Sequence, residues 1–315
     1  VTFRVEVRPA TRQFRRAALG LAFAFYSIEV AAMDVSPYWN FNDPAASEAA
    51  FRKALSAGPG ADDSLSLQTQ IARTYSLRSS FGEAHALLDA IEPQLAAAGA
   101  EPRVRYLLER GRTFRSSKAA ERARPLFIDA AERAHAAKLD ALEVDALHMI
   151  ALVEAEPEAQ MQWNRKALAV AASSADPVAR NWDASLANNI GMSLHDAGRY
   201  DEALASFQAA LAARERIGDN AGGVRVAQWM IAWTLRSLDR HDEALAILRR
   251  LDMENDAAGE PDGFVFEEIA ENLLAQQQGD AAKPYFAKAW QLLSADTSLD
   301  RPSDEHLARL DRLSR

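Results

Sequence analysis

The feature that most constrains this chain is a small residue that returns along it, each time with the same companions. The small residues are Ala84, Ala123, Ala159, Ala203, Ala244 and Ala282, separated by 39, 36, 44, 41 and 38 residues. Twelve residues before each stands Ala72, Gly111, Leu147, Gly191, Ala232 or Ala270, and four after each stands Leu88, Phe127, Trp163, Phe207, Leu248 or Phe286. Three further on come Ile91, Ala130, Lys166, Ala210, Leu251 and Ala289. Two helices approach to ~8–10 Å only where the side chains at their crossing are small. A residue one turn further along lies on the same face and fills the space beside that crossing. The spacing therefore predicts six helical hairpins, none able to bury its apolar face alone and all stable when stacked on neighbours.

Glycine (14) and proline (12) are few and fall between the patterned segments, as a mostly helical chain requires. The best-formed unit runs from Ala187-Asn188-Asn189-Ile190-Gly191 to Leu194. It continues through Gly198-Arg199-Tyr200-Asp201-Glu202-Ala203 to Phe207 and Ala210. This pattern resembles the tetratricopeptide repeat, and the resemblance covers roughly residues 64–293 as about six irregular repeats. It implies an all-α array of helical hairpins wound into a right-handed superhelix or solenoid, and a scaffold role holding another protein or a peptide. The spacings exceed the ~34 residues of that repeat. The third unit, around Glu154-Ala155-Glu156-Pro157, is degenerate, with Leu147 and Lys166 where small residues are expected. The stretch from Trp39 to Arg52, WNFNDPAASEAAFR, is similar to the opening of a little-characterised bacterial group of such proteins, a likeness that implies no particular activity.

The flanks read as caps. Residues 34–63 form an N-terminal capping helix and linker: Asp43-Pro44 is an aspartate cap with proline at the first helical position, and Gly58-Pro59-Gly60 ends the helix. Residues 294–315 read as a loop followed by a helix from Asp304 to Leu313. Residues 1–32 differ in kind. Arg4, Arg8, Arg12, Arg15 and Arg16 precede an apolar run from Ala17 to Ile28, shorter than the ~20 residues a spanning helix needs. Stable membrane insertion is therefore not expected. Three readings remain open: a secretory signal, an extension upstream of a true start at Met33, or an amphipathic N-terminal helix. Val1 reads as an untranslated alternative start, which makes Met33 the expected beginning. A cytoplasmic location follows, with export as the alternative if the leader is a signal.

Several classes of chemistry are excluded or disfavoured. Without cysteine there is no disulfide, thiolate or sulfur-ligated zinc. The histidines, at 85, 135, 148, 195, 241 and 306, include no pair three or four apart, so no helix presents two of them to a metal. No phosphate-cradling loop, serine elbow or dinucleotide fingerprint occurs, and Gly218 to Gly223 reads as a turn between repeats four and five. No catalysis, cofactor or metal is expected. The net charge of -9, spread along the chain, disfavours nucleic acid.

If the first helix of each hairpin lines the inner face, its outward positions form a graded surface. Repeats one and two offer Arg73, Arg105, Arg112 and Arg115; repeat three offers Asp145 and His148; repeat four offers Asn188, Asn189 and His195. Repeat five offers Arg225, Trp229, Trp233 and Arg236, and repeat six offers Glu267, Glu268 and Glu271. Trp229 and Trp233, four apart beside arginine, have hot-spot character, and asparagines can clamp an extended peptide. The basic-to-acidic run would orient a ligand of opposite polarity. Blander roles compete: the tryptophans as fillers between repeats, the asparagines as internal bridges, the histidines as satisfied residues, and the arginines as a solvated face paired with Glu109 and Glu121. A small-molecule or lipid site enclosed by the tryptophans, and self-association through an end repeat as a homodimer, are the alternatives to peptide binding.

Overall fold

The structure, a computed structural model, describes residues 33–218, 221–296 and 302–315. The leader readings, and most of the loop expected before Asp304, lie outside these residues. All regular structure among the described residues is helical. After a 3-10 turn at Ser36–Tyr38, helix α1 spans Pro44–Ser56. The Asp43 side chain accepts a hydrogen bond from the Ala46 N–H at 2.9 Å, supplying one of the partners a helix start lacks.

Six hairpins follow. They pair α2 (Ala61–Leu77) with α3 (Phe81–Ile91), α4 (Ala100–Ser116) with α5 (Ala120–Ala136), and α6 (Asp140–Ala151) with α7 (Pro157–Ser173). A short helix, α8 (Pro177–Arg180), precedes the pair α9 (Asp183–Asp196) and α10 (Tyr200–Ile217). Then come α11 (Ala221–Ser237) with α12 (His241–Ala258), and α13 (Gly263–Ala275) with α14 (Gly279–Ala295). The last helix, α15 (Asp304–Leu313), packs on α14. Each hairpin stacks on the next, so the array is a solenoid, and its buried core falls into three successive clusters along the stack.

In five of the six hairpins the two helices are joined by three residues, the middle one left-handed. These are Ser79, Lys118, Gly198, Asp239 and Gln277, with φ of 61°, 64°, 71°, 56° and 61°. The residue after each donates its N–H to the carbonyl five positions back, as Ala119 does to Phe114 at 2.8 Å and Arg199 to Leu194 at 2.9 Å. This is a Schellman closure, which satisfies a carbonyl that the helix end would otherwise strand.

The third hairpin departs, and its departure corrects the sequence register. Its helices are joined by five residues, 152–156. Elsewhere the small residue stands five positions before the end of the first helix and fourth in the second. In the third hairpin those places hold Ala146 and Gln160, followed by Asn164 and Ala167. Ala146, Asn164 and Ala167 are buried, whereas Ala159 and Trp163 are half-buried and Lys166 is exposed. A fixed spacing of twelve residues cannot survive a turn two residues longer, so the expected set slid by one position.

The crossing points match in size. A methyl group on Gly111 would stand 2.4 Å from Phe127, and one on Gly191 would stand 2.7 Å from Phe207. Where the second helix carries leucine instead, as at Leu88 and Leu248, alanine takes the facing place at Ala72 and Ala232.

Candidate functional site

Because the first helix ends in the same turn in five of the six hairpins, positions counted back from that end recur on one face. Seven residues before the end stand Gln70, Glu109, Asn189, Met230 and Glu268, and four before it stand Arg73, Arg112, Met192, Trp233 and Glu271. Polar contacts join these helices layer by layer. Gln70 Nε2 donates to Glu109 Oε1 at 3.4 Å, and Arg112 donates to Glu109 Oε1 and Asp145 Oδ2, each at 2.6 Å. His148 Nδ1 lies 3.5 Å from Asn189 Nδ2, and His195 Nε2 lies 3.0 Å from Ser237 Oγ. Arg236 grips Glu268 with two hydrogen bonds of 2.7 and 2.8 Å. The ladder continues onto α15, where His306 meets Glu267 at 3.0 Å and Arg309 meets Glu271.

The ladder has a charged cluster at its start, on α4 and α6, and an aromatic cluster further along, on α9 and α11, before its last charged rungs on α13 and α15. In the charged cluster, burial works against the Arg112 cation, yet Asp145 and Glu109 hold its pKa above the ordinary arginine value. Burial likewise pushes Asp145 up, but the charge and hydrogen bonds of Arg112 outweigh it and leave the carboxyl below its usual range. Burial lowers the pKa of His148, with Asp145 offsetting part of the effect, so the ring is neutral at neutral pH. Its face tilts against Trp182 at 5.4 Å.

In the aromatic cluster the His195 ring stacks on Trp233 with centroids 3.4 Å apart, and Trp233 lies nearly parallel to Trp229 at 5.9 Å. Trp229 meets Phe264 edge-on and donates its indole N–H to the Phe264 carbonyl at 3.2 Å. Both tryptophans are half-buried, Phe264 is exposed, and burial lowers the His195 pKa. Arg225 pairs with Glu260 at 2.5 Å beside them. A cavity of about 450 Å³ opens next to Trp229, lined by Val226, Leu251, Val265, Leu292 and Leu293 among others.

The structure thus gathers Arg112, Asp145, His148 and Asn189 into one cluster and His195, Arg225, Trp229, Trp233 and Arg236 into another. Asn188 is half-buried, and its Oδ1 accepts no hydrogen bond from a described residue. Arg115 is exposed near the end of α4, outside the ladder. The expected basic-to-acidic run is largely cancelled, because most of its charges are paired between layers: Arg112 with Asp145, Arg236 with Glu268, Arg309 with Glu271. Sequence reasoning missed Trp39 and Phe41, whose rings stack at 4.7 Å with the Arg73 guanidinium over both. One of its readings paired Glu109 with a solvated arginine face; Glu109 does pair with Arg112, but only 2% of it is exposed. The signal available for Glu109 was its alignment with Gln70, Asn189 and Glu268, visible once helix ends are known.

Among the described residues no group of three or more histidines and carboxylates could hold a metal, and no helix is long and apolar enough to cross a membrane.

Comparison with known proteins follows the fold. Residues 182–251, which lie in hairpins four and five, match the tetratricopeptide repeat family model. No curated protein matches the chain. Among solved structures the chain is similar to the apo form of RapI, with a TM-score of 0.67 and 13% identity over 89% of this chain and 80% of that one. It is also similar to the STAND signal-transduction ATPase with a tetratricopeptide repeat sensor from Pyrococcus horikoshii. That match has a TM-score of 0.64 and 12% identity, over 87% of this chain and 45% of the larger protein. BtubC from P. vanneervenii matches with a TM-score of 0.53 and 14% identity, over 80% of this chain and 96% of that one. At these identities the likeness establishes a tetratricopeptide-like helical-repeat fold.

Proposed function

We propose that the chain is a non-catalytic scaffold whose first-helix face holds an extended peptide or a segment of a partner protein. The observation that carries this reading is the stack of half-exposed Trp229 and Trp233 on the buried His195 ring, on a face otherwise tied together by its polar ladder. Rigid aromatic groups bind with little loss of rotamer freedom, and rings of this kind dominate interface energies. The apolar cavity beside Trp229 is suited to seat an anchoring side chain of such a peptide. Asn188 lies half-buried in the preceding layer with its Oδ1 unmatched but closed to solvent, so it can accept from a peptide backbone N–H once its amide turns outward. The repeats of the Pyrococcus protein are described as a sensor, and that description supports a recognition role for a similar array.

The test is selection of binders from a random peptide library on the immobilised chain, followed by anisotropy titration of the winners. Truncating a hot-spot aromatic costs ~2 kcal/mol or more, so Trp229→Ala is expected to weaken binding by roughly thirtyfold. Asn188→Ala should weaken it less. Peptides that bind both variants as tightly as the parent chain would place recognition elsewhere.

A further inference from the structure

A second cavity, of about 270 Å³, lies beside the charged cluster at the start of the first-helix face, bounded by Trp39, Phe41, Gln70, Arg73, Glu109 and Asp145 among others. One of its groups has an atom without a partner among the described residues, and a second keeps its donors turned partly to solvent. Glu109 is 2% exposed, and its Oε2 accepts no hydrogen bond from any described residue. Its other oxygen is fully engaged by Arg112 at 2.6 Å and Gln70 at 3.4 Å. Arg73 has five N–H donors, yet its contact with Glu109 Oε1 is 3.7 Å, beyond hydrogen-bond reach, and the ring faces of Trp39 and Phe41 are its other neighbours. The cavity therefore borders one buried acceptor without a partner and the partly exposed donor fork of Arg73, with an aromatic wall between α2 and the 35–41 segment.

The charges decide what such a place can hold. Arg73, Arg105 and Arg112 face Glu101, Glu109 and Asp145, so among the described residues the cluster is balanced. A phosphate would bring two negative charges beside two buried carboxylates. An ammonium or guanidinium group would meet Arg73 and Arg112. A neutral group that both donates and accepts meets neither objection, and the primary amide does so with its donors and its acceptor on separate atoms, where a hydroxyl has a single oxygen for both.

We propose that this cavity binds the side-chain carboxamide of a glutamine or asparagine in a bound peptide, its N–H₂ donating to Glu109 Oε2 and its carbonyl accepting from Arg73. The volume lies below the ~300–1,000 Å³ of sites for drug-sized molecules and suits one side chain. This inference rests on the peptide-binding reading above and supplies its second anchor, at the start of the face and away from Trp229.

The Trp39 indole N–H donates to Gln70 at 3.2 Å, so its proton resonance reports on the cavity. The full chain is titrated with N-acetylglutamine amide and, at the same ionic strength and neutral pH, with N-acetylglutamate α-amide, following that resonance by NMR. The glutamine probe should shift it saturably and bind about tenfold or more tightly than the glutamate probe, as the loss of a hydrogen bond to a charged group implies. Arg73→Met should abolish the shift while the unfolding midpoint reports an intact fold. Equal or tighter binding of the glutamate probe would overturn the proposal in favour of an anion site, and so would the absence of a saturable shift from either probe. Both outcomes are read on the unaltered chain, so they stand even if the variant fails to fold. Peptides captured through Trp229 would survive such a failure, which separates it from failure of the scaffold reading.

Discussion

At Gly191 the first helix of hairpin four comes so close to Phe207 that a single methyl group would collide with the ring. Overpacking of this kind costs about 1–3 kcal/mol, and Gly191→Ala should lower stability by that amount in urea unfolding followed by circular dichroism. The neighbouring hairpin meets the same crossing with Ala232 and Leu248, both fully buried. Adding Phe207→Leu to Gly191→Ala should therefore recover part of the loss, giving a favourable coupling energy in the double-mutant cycle. Strict additivity would show that the glycine is there for another reason. Ala270 facing Phe286 is the exception to this size match, and nothing in the structure explains it. Residue identity made these crossings legible in the sequence. It did not reveal Asn164, which is buried in the place of an aromatic residue in hairpin three, close to His148.

At the scale of the element, the three-residue turn sets where each hairpin begins and ends. Its middle residue is left-handed whatever its identity, and glycine occupies it in hairpin four alone. A non-glycine residue in that conformation costs about 1–2 kcal/mol, partly offset by the smaller entropy of its unfolded chain. Lys118→Gly, Asp239→Gly and Gln277→Gly should each raise stability by roughly 0.5–1 kcal/mol, and Gly198→Ala should lower it by a similar amount. Chemical denaturation of the four variants checks the signs, and a destabilising Lys118→Gly would refute the account. These turns were hard to read from sequence, because lysine, aspartate and glutamine carry no left-handed signature. The longer third turn was harder still: Pro157 marks the start of α7, but nothing marks the two extra residues that displaced the expected register.

Over the whole molecule the first helices are tied together by buried charges whose responses to pH oppose one another. Asp145 is held below its ordinary value near 3.8, the pull of Arg112 exceeding the effect of burial. Its contribution to stability is present above about that pH and is lost as pH falls through the lower folded value. Glu268 is raised above 4.5, chiefly by burial and despite two hydrogen bonds from Arg236, with Glu267 and Glu271 adding to the rise. The folded state then binds the Glu268 proton more tightly than the unfolded state does. Stability from this group grows as pH falls from its raised value toward 4.5. Relative to Glu268→Gln, the parent chain should gain stability as pH drops from neutral to about 4.5. Relative to Asp145→Asn it should lose stability below about pH 3.8. Urea midpoints across pH 3–7 test both signs at once, and parallel curves for a variant and the parent would rule out the assigned shift.

The sequence by itself determined the class of the fold, because small residues at helix crossings with large ones a turn away admit few arrangements other than stacked hairpins. It also determined the absence of sulfur chemistry and the aromatic pair on one helix, since residue type and helical spacing suffice for both. Only the tertiary structure decided which charges are spent on one another. Arg112 and Asp145 are 33 residues apart, as are many partners along the ladder, and their meeting depends on how one layer is set upon the next. That offset follows from turn lengths and crossing angles, which are properties of the packed chain and leave no mark on any single repeat.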